Sequence, residues 1–404
     1  MDNAFRQEGV VIRYLAIGLI ILIALGIVTG AIFFATRNNT LGSDFFIYYV
    51  AGRQITTGAG SPYDETVGEQ SQMAILKHPA QEGEDQLRYV YPPYGLIPIL
   101  PLAGLPFPLA QAVWMAASII GIPFSVLYGF RKVSLWFLIS LFFLYPLTFG
   151  LLLGNMNMPV MCILILLAGR IPELTKEKRL ESIILGLLMS WATIKPQFSA
   201  FFILFFLLVS LKNRNVTFII SFISGILGLI VFSFLLIHDW VTRWTGLLQR
   251  YPGYIGGQIP LTPLIERLPA SWQLYAYVLL AVSCFAISAW LLVKWWNKKL
   301  SMWNMLAFGG FVTYLFHPTG LSYDQMIFLL PFIFWILKEW TSRPFFALIT
   351  WFSMVVFSWV LLYLSLEHIW VGATYYGMFI LYIFWMTACL WFKPARKNQI
   401  REQK

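Results

Sequence analysis

Two carboxylates stand among aromatic and polar neighbours, in segments that border long apolar runs. The first is Asp44, in LGSDFFIYYVAGRQITTGAGSPYD, residues 41–64. A helix over 43–56 puts Asp44, Tyr48 and the Ala51/Gly52 pair on one face, since residues three and four apart are neighbours on a helix surface. Ala51 and Gly52 are small enough for a second helix or a ligand to come close. A carboxylate beside aromatic rings suits recognition of a sugar, or removal of a proton from one. The competing reading is an interfacial helix carrying a solvated aspartate and aromatic-belt residues. The second carboxylate is Asp324, in HPTGLSYDQ, with His317, Tyr323 and Gln325 close in sequence. Asp44, Asp324 and His317 are all candidates for a general base.

Other polar groups fit a phosphorylated or glycosidic ligand. Lys195 lies in IKPQ between two apolar runs. A residue before proline is pushed out of helical geometry and proline readily opens the next helix, so the ammonium sits at a helix junction. There it can meet a lipid phosphate, or merely snorkel as a depth anchor. Asn155 and Asn157, in GNMNMP, occupy a turn in which asparagine also satisfies backbone groups. Arg250 and Tyr251 fall in 238–270, read as a second sizeable outer loop, and suit a phosphate or sugar. Tyr48, Tyr49, Tyr91 and Tyr323 offer rings and hydroxyls to a sugar. His78, His238 and His368 are isolated and read as surface residues. No HExxH, DxD or paired His/Cys spacing occurs, so no metal ligand is assigned. Cys162, Cys284 and Cys389 each lie inside an apolar run and read as buried small residues.

The elements that position these groups follow from composition. The 404 residues are 59% hydrophobic and 11% charged, with a mean hydropathy of +0.72. A soluble domain needs far more surface charge than this. Apolar runs of roughly 18–22 residues instead indicate an all-α polytopic membrane protein. About twelve spans are expected, at 14–35, 108–130, 133–153, 156–170, 180–194, 196–211, 215–237, 271–293, 301–316, 319–337, 344–364 and 369–391, within a single integral membrane domain over 1–404. The first reads as a retained signal anchor. Residues 36–107 form a long first extracytoplasmic loop with juxtamembrane helices. Its end, 91–107, carries five prolines and reads as a helix lying in or dipping into the interface.

Charge sets the orientation. With the N-terminus inside and 91–107 not spanning, the inner segments hold 20 of the 28 Lys and Arg. Both termini are then cytoplasmic, in a multi-pass protein of the cell membrane. Asp44, the YPPY turn, GNMNMP, IKPQ, 238–270 and HPTGLSYDQ all fall outside. Counting 91–107 as a span would move every later basic cluster to the outer side. The net charge of +10 therefore concerns orientation and membrane lipids, and nucleic acid is not a partner. Short inner loops without GxxxxGK[ST] leave no room for an ATP-driven pump. A transporter or flippase of a lipid-linked or small polar substrate is the alternative to an enzyme, kept open by Pro123, Pro146 and Pro331 within spans. Against it, no internal repeat is visible and every charged residue falls in a loop or at a span end.

The order D-x3-YY-x-AG…YD, then YPP, G-x-x-N, KP and a polar cluster before a late span resembles glycosyltransferase family 87, formerly a domain of unknown function. The resemblance runs over roughly 40–335 and implies the GT-C architecture. It also implies transfer of a sugar, usually mannose, from a polyprenyl monophosphate to a glycolipid, glycan or other hydroxyl acceptor outside the membrane, with the active site extracytoplasmic. The donor is a lipid-linked co-substrate, and no separate cofactor is implied. Asp44 matches the acidic residue of the first outer loop, and Lys195 the lysine of the KP element. Relatives often carry serine–tryptophan followed by histidines where this chain has Ser322-Tyr323-Asp324-Gln325, which leaves the identity of the base open.

Overall fold

The structure, a computed structural model, describes residues 2–81, 84–130, 133–175, 177–255, 260–317, 322–367, 369, 376–377 and 379–384, with side chains except at 2–17, 251–255, 322, 334 and 338–342. Among these residues the chain is helical with no strand.

The first apolar run forms α1 (Asp2–Thr36), followed by α2 (Ser43–Thr56) and α3 (Glu65–Ile75). The helix expected across 91–107 is instead a 3-10 turn at Pro93–Leu96 and a single turn, α4 (Leu100–Ala103). Its prolines lack N–H donors and restrict the residues before them, so no longer helix forms. Next come α5 (Phe107–Phe130), which continues through Pro123, then α6 (Leu135–Ser140) and α7 (Tyr145–Leu153). The segment Leu135–Phe143 meets α7 at a bend of 72°. Leu144 is extended there and Pro146 follows as the second residue of α7. After these come α8 (Asn157–Arg170), α9 (Arg179–Trp191), a 3-10 turn Ala192–Ile194, α10 (Pro196–Lys212) and α11 (Val216–Leu236). The presumed loop 238–270 is largely helical, with α12 (Trp240–Ile255) and α13 (Thr262–Ile265). Trp240 and Leu247, two turns apart on α12, are buried while Arg243 is exposed, an amphipathic pattern suited to an interface. The chain continues as α14 (Ala270–Trp296), α15 (Met302–Leu315), a 3-10 helix Ser322–Phe328, α16 (Leu329–Ser342) and α17 (Pro344–Leu366).

Five helices among the described residues are long and apolar enough to cross a membrane: Gly18–Thr36 within α1, α5, α11, α14 and α17. The bent pair makes six if it is one span. Phe285 on α14 is 77% exposed, as are many large apolar neighbours along that helix. Apolar surface on this scale belongs in hydrocarbon. Four other expected spans are shorter helices: α8 has 14 residues, α9 13, α10 17 and α15 14. At 1.5 Å per residue these reach about 20–25 Å, less than the roughly 30 Å hydrocarbon core. Most of the last expected span, 369–391, lies outside the described residues.

Contacts divide the chain into two compact units. One comprises residues 1–131, 149–196 and 213–256. Within it α5 and α8 cross where Gly129 faces Gly169, and a Cβ on Gly169 would lie 2.5 Å from the Gly129 backbone. Helices α9 and α11 cross the same way at Gly186, whose Cβ would lie 2.7 Å from the Phe218 carbonyl oxygen. Small residues let backbones touch where no hydrophobic effect distinguishes helix from lipid. At the end of α8, buried Arg170 donates to Glu181 at 2.6 Å and Glu173 at 3.0 Å and lies over the Tyr128 ring, tying three helices.

The other unit comprises 132–148, 197–212 and 257–404. Phe205 packs edge-on against Trp295, and Phe328 stacks on Tyr382 at 4.0 Å. Lys212 donates to the carbonyls of Trp295 and Trp296, satisfying the end of α14 with a charge that favours a helix C-terminus.

Gly169→Ala forces the α5/α8 backbones apart and is expected to destabilise the protein by about 1–3 kcal/mol. Thermal unfolding in detergent checks this, and an unchanged midpoint would remove the crossing as a stability determinant.

Candidate functional site

In the first unit, the start of α2 and the α7–α8 turn come together. Asp44 occupies the first turn of α2, where the helix dipole favours an anion. Its Oδ2 accepts a hydrogen bond from Asn155 Nδ2 at 2.5 Å, and Asn155 Oδ1 accepts the Asn157 backbone N–H at 2.8 Å. One amide thus satisfies the entry to α8 and holds the carboxylate. Gly154 makes the approach possible. Its φ of +67° is left-handed, and a Cβ there would lie 2.6 Å from Phe45 Cβ. Asp44 is half-buried as a result, so the solvated aspartate is not what forms. Asn157 is fully buried.

Two residues passed over in the sequence hold this arrangement. Gln111 accepts the N–H groups of Leu41 and Gly42, and donates to the Asn39 carbonyl and the Thr36 hydroxyl. Trp114 donates to the Gly154 carbonyl at 2.9 Å and stacks on Phe45. The available signal was an amide one turn before an indole within an otherwise apolar span.

The tyrosines of the first loop gather into a buried cluster. Tyr48 meets Tyr89 and Tyr91 edge to face. Tyr49 donates to the Leu105 carbonyl, Tyr63 to that of Tyr91 and Tyr89 to that of Pro92. Tyr48, Tyr49 and Tyr91 are all buried. Burial pushes the phenols of Tyr63 and Tyr89 well above their ordinary value. Helix α12 is fastened to the same loop. Arg243 bonds Asp64 at 3.0 Å and Asp239 at 2.8 Å, and Trp244 donates to the Val90 carbonyl. The Arg243 hydrogen bond holds the Asp239 carboxyl below its usual range. Arg250 is exposed on this helix rather than in an open loop, and the Tyr251 side chain lies outside the described residues.

Lys195 takes φ −123° and ψ 74° between the 3-10 turn and α10, the non-helical geometry that Pro196 requires. It is only 4% exposed, so it is not a snorkelling anchor. Trp191, one turn earlier, lines an almost wholly apolar cavity of about 370 Å³ with Trp114, Ser118 and Gly121 of α5 and Pro159 and Cys162 of α8.

In the second unit, His317 Nδ1 lies 3.4 Å from Asp324 Oδ2, and both residues are 1% exposed. Gln325 donates to the Tyr314 hydroxyl at 2.8 Å. The 3-10 helix that carries Asp324 and Gln325 thus turns both inward, while Tyr323 is half-buried. Of the isolated histidines, His78 and His238 are exposed, and His368 lies outside the described residues.

The buried tyrosines carry a pH dependence. Their folded pKa values are raised above 10.0, so the unfolded state loses protons first as pH rises. The stabilisation is complete below about pH 10 and is lost as pH climbs through the folded values. Unfolding midpoints measured against pH are expected to fall steeply above that point. The fall should be shallower in Tyr63→Phe, and an equal slope in both proteins would exclude this source.

The family model described as glycosyltransferase family 87 matches residues 89–318. The match takes in YPPY, GNMNMP, IKPQ and His317, and leaves out both α2 with Asp44 and the turn bearing Asp324. No curated protein and no solved structure matches the chain. With more than half the sequence matched and long apolar helices on both sides of the Lys195 junction, the chain belongs to glycosyltransferase family 87 and is a membrane glycosyltransferase.

Proposed function

We propose that the chain transfers a sugar, mannose being the leading candidate, from a polyprenyl monophosphate to a hydroxyl acceptor at the extracytoplasmic membrane face. The observation that carries this reading lies in one unit: a half-buried carboxylate at a helix N-terminus, a buried lysine at a helix junction, and an apolar cavity beginning one turn from that lysine. The twelve-segment topology with both termini cytoplasmic belongs to the proposal. So does a GT-C-like arrangement in which the shorter helices cross as part of the bundle.

The chemistry is a single inverting displacement. Asp44 takes the proton of the acceptor hydroxyl while the acceptor oxygen bonds to the anomeric carbon. The bond from that carbon to the phosphate oxygen breaks, and the electron pair leaves with the prenyl phosphate. Lys195 meets the charge that grows on the departing phosphate. The cavity between α5 and α8 takes the first isoprene units. Asp44 is preferred as base over Asp324 and His317 because it is the partly accessible group of the three, whereas the other two enclose one another. The alternative, a flippase for a lipid-linked substrate, draws support from the break at Leu144.

Purified protein in nanodiscs, given radiolabelled polyprenyl-phosphate mannose and then the glucose and arabinose forms, with a membrane-lipid extract as acceptor, tests the reading. Asp44→Asn is expected to lower turnover by roughly 10²–10⁴ with normal folded yield. Near-wild-type turnover would remove Asp44 from the mechanism. Lys195→Ala should raise the donor KM more than that of the acceptor, and unchanged donor kinetics would leave Lys195 without a role. Asp324→Asn breaks an enclosed pair and is expected to lower folded yield. Movement of labelled lipid across sealed vesicles without transfer would favour the flippase.

A further inference from the structure

The segment just before Lys195 is gripped by the YPPY turn, far away in the sequence. Tyr94 and Thr193 share a hydrogen bond at 3.1 Å between their hydroxyls. Thr193 donates its own proton to the Ser190 carbonyl at 2.6 Å, so in this pair the Tyr94 hydroxyl is the donor. Trp191 Nε1 donates to the Tyr94 carbonyl at 3.2 Å. At the next residue, Gly95, an added Cβ would collide with the Ile194 side chain and lie 2.8 Å from the Tyr89 hydroxyl. Ile194 itself is 1% exposed. Trp191, Thr193 and Ile194 therefore each touch the 94–95 pair, and Lys195 is the next in line.

This grip matters because the backbone around Lys195 is irregular. A 3-10 turn of three residues precedes it, Pro196 supplies no N–H, and its own φ and ψ lie outside the helical well. An ammonium on a flexible four-carbon stem is also a poorly directed point charge. The 94–95 turn braces residues 191, 193 and 194, and with them the backbone from which the Lys195 stem leaves. The same turn runs directly into Ile97 and Pro98, which line the apolar cavity together with Trp191. One short segment therefore borders the cavity and braces the lysine.

We propose that Tyr94 and Gly95 form a positioning clamp that fixes the depth of the Lys195 ammonium against the phosphate of a prenyl phosphate lying in the cavity. This rests on Lys195 being the phosphate contact, as in the function proposed above. Tyr94 acts through Lys195 and makes no contact with the reacting atoms. The clamp selects for a lipid whose charged head and chain are a set distance apart, since one segment fixes both ends.

Binding of two probes, undecaprenyl phosphate and its uncharged alcohol undecaprenol, to the full chain in detergent tests this, with tryptophan fluorescence as readout. The wild-type protein should prefer the phosphate. Tyr94→Phe keeps the ring and removes only the hydroxyl. It is expected to weaken undecaprenyl phosphate by roughly three- to tenfold, the range of one hydrogen bond, and to leave undecaprenol unchanged. Thr193→Val should behave alike, whereas Thr193→Ser should retain affinity. In a Lys195→Ala background Tyr94→Phe should cost nothing more, since its effect passes through the lysine. Equal losses for both lipids would make Tyr94 a structural residue only, and additive losses would show that it acts independently of Lys195. Either overturns the clamp while leaving the transferase reading intact. If the wild type binds the two lipids equally, or Lys195→Ala retains the preference, the phosphate role of Lys195 fails and the clamp fails with it.

Discussion

Hydrocarbon cannot hydrogen-bond to a peptide group, and that constraint explains where chemistry can reside in this chain. Backbone inside a bilayer must be helical or buried in protein. Polar side chains therefore collect where helices begin and end, because only there do free N–H and C=O groups reward them. Asp44 stands in the first turn of α2, Asn155 just before α8, Lys195 just before α10 and His317 just beyond α15. Each lies at a helix end, and none in the middle of a span. Arg170 and Lys212, which hold structure rather than serve a site, also sit in the last turns of their helices.

Close approach of backbones is the second requirement. With lipid as apolar as leucine, helices associate through packing and hydrogen bonds rather than exclusion of water. The α5/α8 and α9/α11 crossings depend on glycine in this way, and of these helices α5, α8 and α9 line the apolar cavity. The α5/α8 crossing at Gly129 and Gly169 lies at the far end of both helices from Trp114 and Pro159, which line the cavity. The pair is pinned at one end and open at the other. That geometry leaves an apolar cavity beside a packed crossing.

Buried polar groups divide by what surrounds them. Asp44 accepts a hydrogen bond from the neutral Asn155 amide and stays half-buried, so part of it remains accessible. Asp324 and His317 face each other in full burial, an arrangement that hinders access. Lys195 is buried and the segment before it is braced, so its side chain does not trail in solvent.

Much was legible in the sequence. Helical class followed from apolar runs too long for a soluble core, α2 from its spacing of aromatic and small residues, and the irregular geometry at Lys195 from the proline behind it. These are local effects, decided within a turn or two by sterics and hydration. The prolines of 91–107 were equally local, yet their effect was underestimated, and the helix expected there broke into two turns. Helix α12 was missed because its polar face resembled a loop, and its apolar face became evident only once Trp240 and Leu247 packed. The count of twelve spans rested on hydropathy, whereas the helices that form differ widely in length. Only the tertiary structure decided which distant residues meet: Asn155 with Asp44, Gln111 with the α1–α2 connection, Tyr94 with Thr193. Such pairings join residues 69 to 111 apart, and no local preference encodes them. They arise because a buried polar group must find a partner, and the fold determines which one lies within reach.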